Sequence, residues 1–308
     1  MIALGAFFSG LWQVIRAPLT LLAVLVITVL TAVPFGLVMG SRLQTALNDQ
    51  PPVMLGSEEI DADWWLEFRR HAEGLNATFT PAIIGFAAPL SNLSSVLDGT
   101  RPDPVMVAPI AIAIVTWAFV WGWAIERYRS GGSRRTGALI RAGFRAMPRF
   151  VAISIVATAA QVILYLSLHR VLFGRVFSML TASMSVERDA FVVRVILYVV
   201  FGVFLAGVSL LADYARVGSV LGRGAWVEAS NLVRRNWPSV VGLFLITTVI
   251  LGALFVLYGV GEQYGGSRVA GWRGVAIGQA FVMVRLAMRL VVIASEVRLF
   301  ERLRGKLA

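Results

Sequence analysis

The chain has no cysteine, two histidines and a single lysine among its 308 residues. Without cysteine there are no disulfides, thiolate zinc sites, iron–sulfur clusters or cysteine nucleophiles. With only His71 and His169, a histidine metal cluster or a Ser-His-Asp triad has almost nothing to draw on. Charge is scarce too: 15% of the residues are charged and 58% are hydrophobic, where a soluble domain is about 25% charged and about 45–50% apolar. Mean hydropathy is +0.78. These shortages exclude an ordinary soluble enzyme, a disordered chain, collagen and a small disulfide-stapled module. The surplus apolar residues must face something other than a protein core, and lipid is what remains.

A helix crosses a hydrocarbon core of about 30 Å with roughly 20 mostly apolar residues. Six runs of that kind are present, near 18–40, 104–125, 150–168, 195–212, 239–260 and 274–295. The first five carry no charge. The sixth contains Arg285 and Arg289.

Arg and Lys accumulate in short cytoplasmic loops, so the net charge of each connection tests the topology. The stretch before the first run is +1, 126–149 is +6, 213–238 is +2 and the tail 296–308 is +2, for +11 on one side. The alternate segments 41–103, 169–194 and 261–273 are −5, +2 and +1, for −2 on the other. Both termini are therefore expected in the cytoplasm, with loop 41–103 external. The first run is longer than a signal-peptide core and lacks a small-x-small cleavage site after it. Arg outnumbers Lys by 27 to 1, a bias that suits a GC-rich bacterial genome and hence the bacterial cytoplasmic membrane. The net charge of +11 thus reads mostly as an orientation signal. The arginines abut spans in short segments with no nucleic-acid-binding motif, so no nucleic-acid partner is expected.

A pattern repeats before the odd-numbered spans: LWQVIRAP at 11–18, LIRAGFRAMP at 139–148 and NLVRRNWP at 231–238. Each is an amphipathic stretch, then arginine, then proline. An apolar stripe backed by arginine suits a helix lying in the headgroup plane. Proline disfavours helix in the residue before it and is tolerated in the first turn of the next helix. The expected fold is all-α: a single membrane domain over 1–308 with six transmembrane helices in three hairpins, each preceded by a cytoplasmic elbow helix. Short basic anchors without true duplication would produce the same pattern.

These elbows, with Asp213-Tyr214-Ala215-Arg216 and the external Trp64-Trp65-Leu66-Glu67-Phe68, resemble a loose group of bacterial six-helix membrane proteins known only as domains of unknown function. The likeness covers nearly the whole chain. It implies a fold and no chemistry, so no catalytic residue is carried over from it.

In the external loop, Asp61 and Asp63 stand where a helix dipole favours acids. Trp64, Trp65 and Phe68 follow on or near one face, as in an interfacial belt or a docking surface for another membrane protein. Residues 81–97 are apolar but broken by Gly85 and Pro89. The acids Glu58, Glu59, Asp61, Asp63, Glu67 and Glu73 crowd one stretch, the pattern of a solvated acidic face rather than a catalytic pair. Nucleotide-binding and metalloprotease motifs are absent, and Gly218-Ser-Val-Leu-Gly222 has its serine in the wrong place for a nucleophile elbow. No enzyme activity, cofactor or metal is expected.

Arg285 and Arg289 are the sharpest clue. Each costs on the order of 2.5–3.5 kcal/mol at a helix centre, and their spacing puts both on one face. Asp213 and Glu126 are the acids near that depth on other spans, and Gln161 and Gln279 extend the polar set. Three roles fit: an ion-pair lock, a site for anionic lipid headgroups, or passage of a substrate. The function expected is that of a non-enzymatic accessory, scaffold or assembly subunit, partnered by lipids and by other membrane proteins or itself. A transporter or channel is the alternative, and a membrane-embedded enzyme comes third.

Overall fold

The structure, a computed structural model, describes residues 2–49, 66, 70, 104–131, 134–184, 186–221, 225–265 and 272–305. Among the described residues there is no strand. Helix α1 runs Ile2–Ile15, α2 Pro18–Asp49, α3 Pro104–Arg129 and α4 Thr136–Leu164. The chain then passes through two π-helical turns, Tyr165–His169 and Val171–Val176, into the short α5, Phe177–Thr181. After it come α6 Glu187–Leu221, α7 Ala225–Arg235, α8 Trp237–Gly265 and α9 Trp272–Arg304.

Four helical stretches are long and apolar enough to cross a membrane: Thr136–Thr181, Glu187–Leu221, Trp237–Val260 and Ala276–Arg304. A fifth is added where the bent pair Ile2–Ile15 and Pro18–Val33 counts as one span. The predicted runs near 18–40 and 104–125 lie within α2 and α3.

The prolines behave in two ways. Pro18 opens α2 and Pro238 is the second residue of α8, the first-turn positions where a missing N–H costs nothing. Pro148 lies inside α4, so the break expected there is absent. Leu139, Gly143, Phe150, Ile153 and Ala157 are buried on both sides of it. At helical spacing they form one stripe, and packing along that stripe outweighs the hydrogen bond the proline removes. A second difference follows at 169–194, expected as a connection. Helix continues to Thr181 and resumes at Glu187, with Glu187 and Asp189 in the first turn of α6, where the dipole favours them.

The described chain divides into two compact units, one of 1–13, 118–246 and 291–308, the other of 14–117 and 247–290. In the first, the end of α9 is the central element: Val291, Ile293, Ala294, Val297, Leu299, Phe300 and Leu303 are all buried. Burial around the whole circumference marks a helix enclosed by others. Against it lies α1, so close at Gly10 that a Cβ there would meet the Ser295 backbone nitrogen at 2.6 Å. The Ser295 hydroxyl donates to the Phe7 carbonyl at 3.5 Å. Helices α3 and α4 meet glycine to glycine: a Cβ on Gly122 would stand 3.2 Å from the Gly143 Cα. Ala229 and Leu232 of α7 are buried as well.

Further along the α4 and α6 pair, the core thins to Leu172, Leu197 and Phe201 with partly buried neighbours. Ile155, Val156, Ile163, Val195, Val199 and Val203 stand exposed there. In the second unit, Phe281 of α9 meets Tyr258 of α8 at 4.1 Å, stacked, and Phe255 at 5.2 Å, edge-on.

Candidate functional site

The sequence-derived polar residues fall into both units. Arg285, Arg289 and Gln279 lie on α9 within the second, while Asp213, Glu126 and Gln161 belong to the first. All three of the α9 group are exposed on the protein surface. The Arg289 guanidinium covers the Trp117 ring of α3 at 3.8 Å, a cation–π contact between a planar cation and the best aromatic acceptor. Trp64, Trp65 and Phe68, the expected docking surface, lie outside the described residues, as does most of loop 41–103.

In the first unit both sequence-derived acids meet arginine from close by. Glu126, buried near the end of α3, has Arg134 at 2.8 Å from Oε1 and Arg129 at 3.7 Å from Oε2. Asp213 of α6 pairs with Arg216 one turn on. Arg216 also donates to the Ser154 hydroxyl of α4 at 3.1 Å, and its guanidinium lies 5.2 Å from the Trp121 ring of α3. One arginine thus ties three helices. Gln161 donates to the Ser209 hydroxyl at 3.0 Å, and that hydroxyl donates back to the Leu205 carbonyl at 3.0 Å. This polar bridge joins α4 and α6 along an otherwise apolar stretch.

One member of the buried set escapes the sequence reading. Glu296 on α9 is buried, and the charges of Asp213 and Arg216 act on it. Tyr214, also buried, feels the charges of both Glu296 and Asp213. The Tyr214 hydroxyl and Glu296 Oε2 have no hydrogen-bond partner among the described residues. The signal was present: Glu296 stands in the mostly apolar stretch Leu290-Val-Val-Ile-Ala-Ser-Glu-Val-Arg-Leu-Phe300. It falls one residue past the sixth run, and a search for acids on other spans passes over it.

Two further features stand nearby in the first unit. Tyr165 and His169 stack at 4.5 Å, His169 meets Phe173 at 4.5 Å, and Phe173 meets Tyr198 at 4.4 Å. This aromatic ladder coincides with the two π-helical turns, and such turns are often found at functional sites. Near the end of α3, burial pushes the Tyr128 hydroxyl above the ordinary tyrosine value, with Arg127 opposing weakly.

Set against protein-family models, curated proteins and solved structures, the chain matches none. Fold and composition define its class: a protein all-helical among the described residues, with several helices suited to spanning a membrane.

Proposed function

We propose that the protein is an integral membrane protein of the bacterial cytoplasmic membrane that acts, without catalysis, as an accessory, scaffold or assembly subunit. In this reading six spans form three hairpins, with both termini cytoplasmic and loop 41–103 external. The first and third elbow segments, before Pro18 and Pro238, lie in the headgroup plane, where their arginines meet anionic lipid.

The observation that carries the reading is the division of labour in the first unit. Three pairs of its polar groups are engaged with one another, Asp213 with Arg216, Glu126 with Arg134 and Gln161 with Ser209. The flanks of α4 and α6 meanwhile present exposed Val, Ile and Phe, among them Phe191 and Phe204. A surface of that kind associates with lipid tails or with helices of a partner. Purification in mild detergent followed by native mass spectrometry tests it. A stoichiometric protein partner is the expected result; a lone oligomer whose liposomes take up solute refutes it.

A second reading rests on Arg285, Arg289 and Gln279, which put three polar side chains on the apolar α9. As a transporter or channel, the protein would use them to attract an anionic substrate. Arg285→Leu and Arg289→Leu would then abolish uptake in liposomes while leaving abundance unchanged.

A further inference from the structure

The Asp213, Arg216 and Glu296 cluster holds two carboxyls and one guanidinium. With both acids ionised, these three groups would carry one more negative than positive charge. Arg216 is committed to Asp213 and Ser154, and Glu296 Oε2 has no hydrogen-bond partner among the described residues. Glu296 and Tyr214 are both buried, 7% and 2% exposed. A second unpartnered polar atom, the Tyr214 hydroxyl, stands in the same cluster. An isolated buried carboxylate is so costly that such a group takes up a neutralising partner instead.

We propose that this cluster is a proton-binding site, in which Glu296 carries one exchangeable proton and the Tyr214 hydroxyl completes its polar surroundings. Binding forms one O–H bond at a Glu296 carboxylate oxygen and consumes one solvent proton, and no electrons move. Among the described residues, the following groups face the site. Helix α6 supplies Asp213, Tyr214 and Arg216; α4 supplies Ser154, which holds Arg216; α3 supplies Trp121 beneath the guanidinium. On α9 itself, Arg298 is drawn away by Glu301 at 3.1 Å and faces Gln13 of α1, while Ser295 is turned to Phe7. A proton suits the site better than a metal ion, because the guanidinium already occupies one carboxylate and repels a second cation. An ionisable residue enclosed at membrane depth is a functional-site hypothesis by default.

The test is infrared spectroscopy of the full-length protein in lipid nanodiscs, with and without glutamate labelled by carbon-13 in the side-chain carboxyl. Wild-type protein at neutral pH should show a carboxylic-acid carbonyl band that the label shifts. Glu296→Gln should remove that band and bind one proton fewer per chain on titration, whereas Glu126→Gln should keep it. Should Glu296→Gln not fold, Tyr214→Phe in labelled protein serves: the band should persist with a shifted frequency. Absence of a glutamate band in wild-type protein overturns the proposal, as does its survival in Glu296→Gln or an unshifted band in Tyr214→Phe. Stabilisation by sodium or potassium without any band would overturn it too, by making the occupant a metal cation.

Discussion

Gly10→Ala isolates the closest approach in the first unit. A Cβ at Gly10 would stand 2.6 Å from the Ser295 nitrogen and 2.9 Å from its Cα, and nearer still to its hydroxyl. Carbon contacts settle at about 3.5–4.0 Å, so α1 must withdraw from α9 by about 1 Å. Two of the clashing atoms are backbone, and no rotamer change relieves them. Overpacking of this kind costs about 1–3 kcal/mol. A radial gap of 0.5–1 Å forfeits roughly a quarter to a half of the dispersion well for every pair along the seam. Against this, alanine gains up to about 1 kcal/mol in helix propensity over glycine. The balance is a net loss of about 1–2 kcal/mol, which falls to steric cost because the helix gain is the smaller term. Gly202→Ala on α6, where a Cβ meets nothing within 4 Å, keeps the gain without the clash and serves as the control. Denaturant and thermal unfolding in detergent should rank Gly202→Ala at or above wild type and Gly10→Ala below it. Adding Ser295→Ala removes only the hydroxyl, so rescue should be partial at most. A Gly10→Ala protein as stable as the Gly202→Ala control would refute the reasoning.

At the crossing of α3 and α4, a Cβ on Gly143 would meet the Phe119 carbonyl at 3.2 Å. Gly143→Val should therefore lower the unfolding midpoint more than Gly137→Val, whose site is open, and equal midpoints would count against the crossing. Arg216→Leu removes the cation beside the half-buried Asp213 and the tie to Ser154, so it should lower the unfolding midpoint; unchanged expression and unfolding would contradict the geometry. A double-mutant cycle on Arg289→Leu and Trp117→Leu should return a coupling of about 0.5–2 kcal/mol, and Arg289→Lys should lose part of it because the flat guanidinium is gone. Tyr128 has a buried hydroxyl with no hydrogen-bond partner among the described residues, so Tyr128→Phe should be neutral or stabilising at neutral pH. With its folded value raised, the wild-type tyrosine contributes stability below the unfolded value near about 10 that is lost as pH rises toward the folded one. Alkaline unfolding should accordingly be shallower in Tyr128→Phe, and identical profiles would show the hydroxyl to be solvated.

The helical character was legible because it is carried by long runs and a single dominant force. Elbow prolines were half legible. Pro18 and Pro238 start helices, whereas the stripe from Leu139 to Ala157 carries α4 through Pro148, and a local proline rule has no access to packing that spans it. Helix beyond residue 168 was hidden for a related reason: Arg170 and Arg175 interrupt an apolar run without interrupting a helix, since Leu172 packs with Leu197 and Phe201 across the hairpin. Among the polar residues, Asp213, Glu126 and Gln161 were found from sequence, but not their partners. Those partners, Arg216, Arg134 and Ser209, are set by helix rotation and by one close turn after α3, and neither is encoded in hydropathy.

Depth along the chain and enclosure by protein are different quantities, and the arginines separate them. Arg285 and Arg289 stand within an apolar run, which made them conspicuous, yet their side chains reach the protein surface, and Arg289 has the Trp117 face at 3.8 Å to share its charge with. Arg216 sits near the end of a run, where snorkelling would make it unremarkable, and is nevertheless 15% exposed in its side chain, tied to two helices and stacked near a third. A long side chain at a span's edge can leave for the headgroups; one that instead turns inward gives up hydration that only specific partners replace. The inward choice of Arg216, together with a buried Glu296 that its charge reaches, makes the α6 and α9 contact the place where this chain departs furthest from a purely apolar bundle. It is there, rather than at the exposed arginines of α9, that a change in protonation would be felt by the most helices at once.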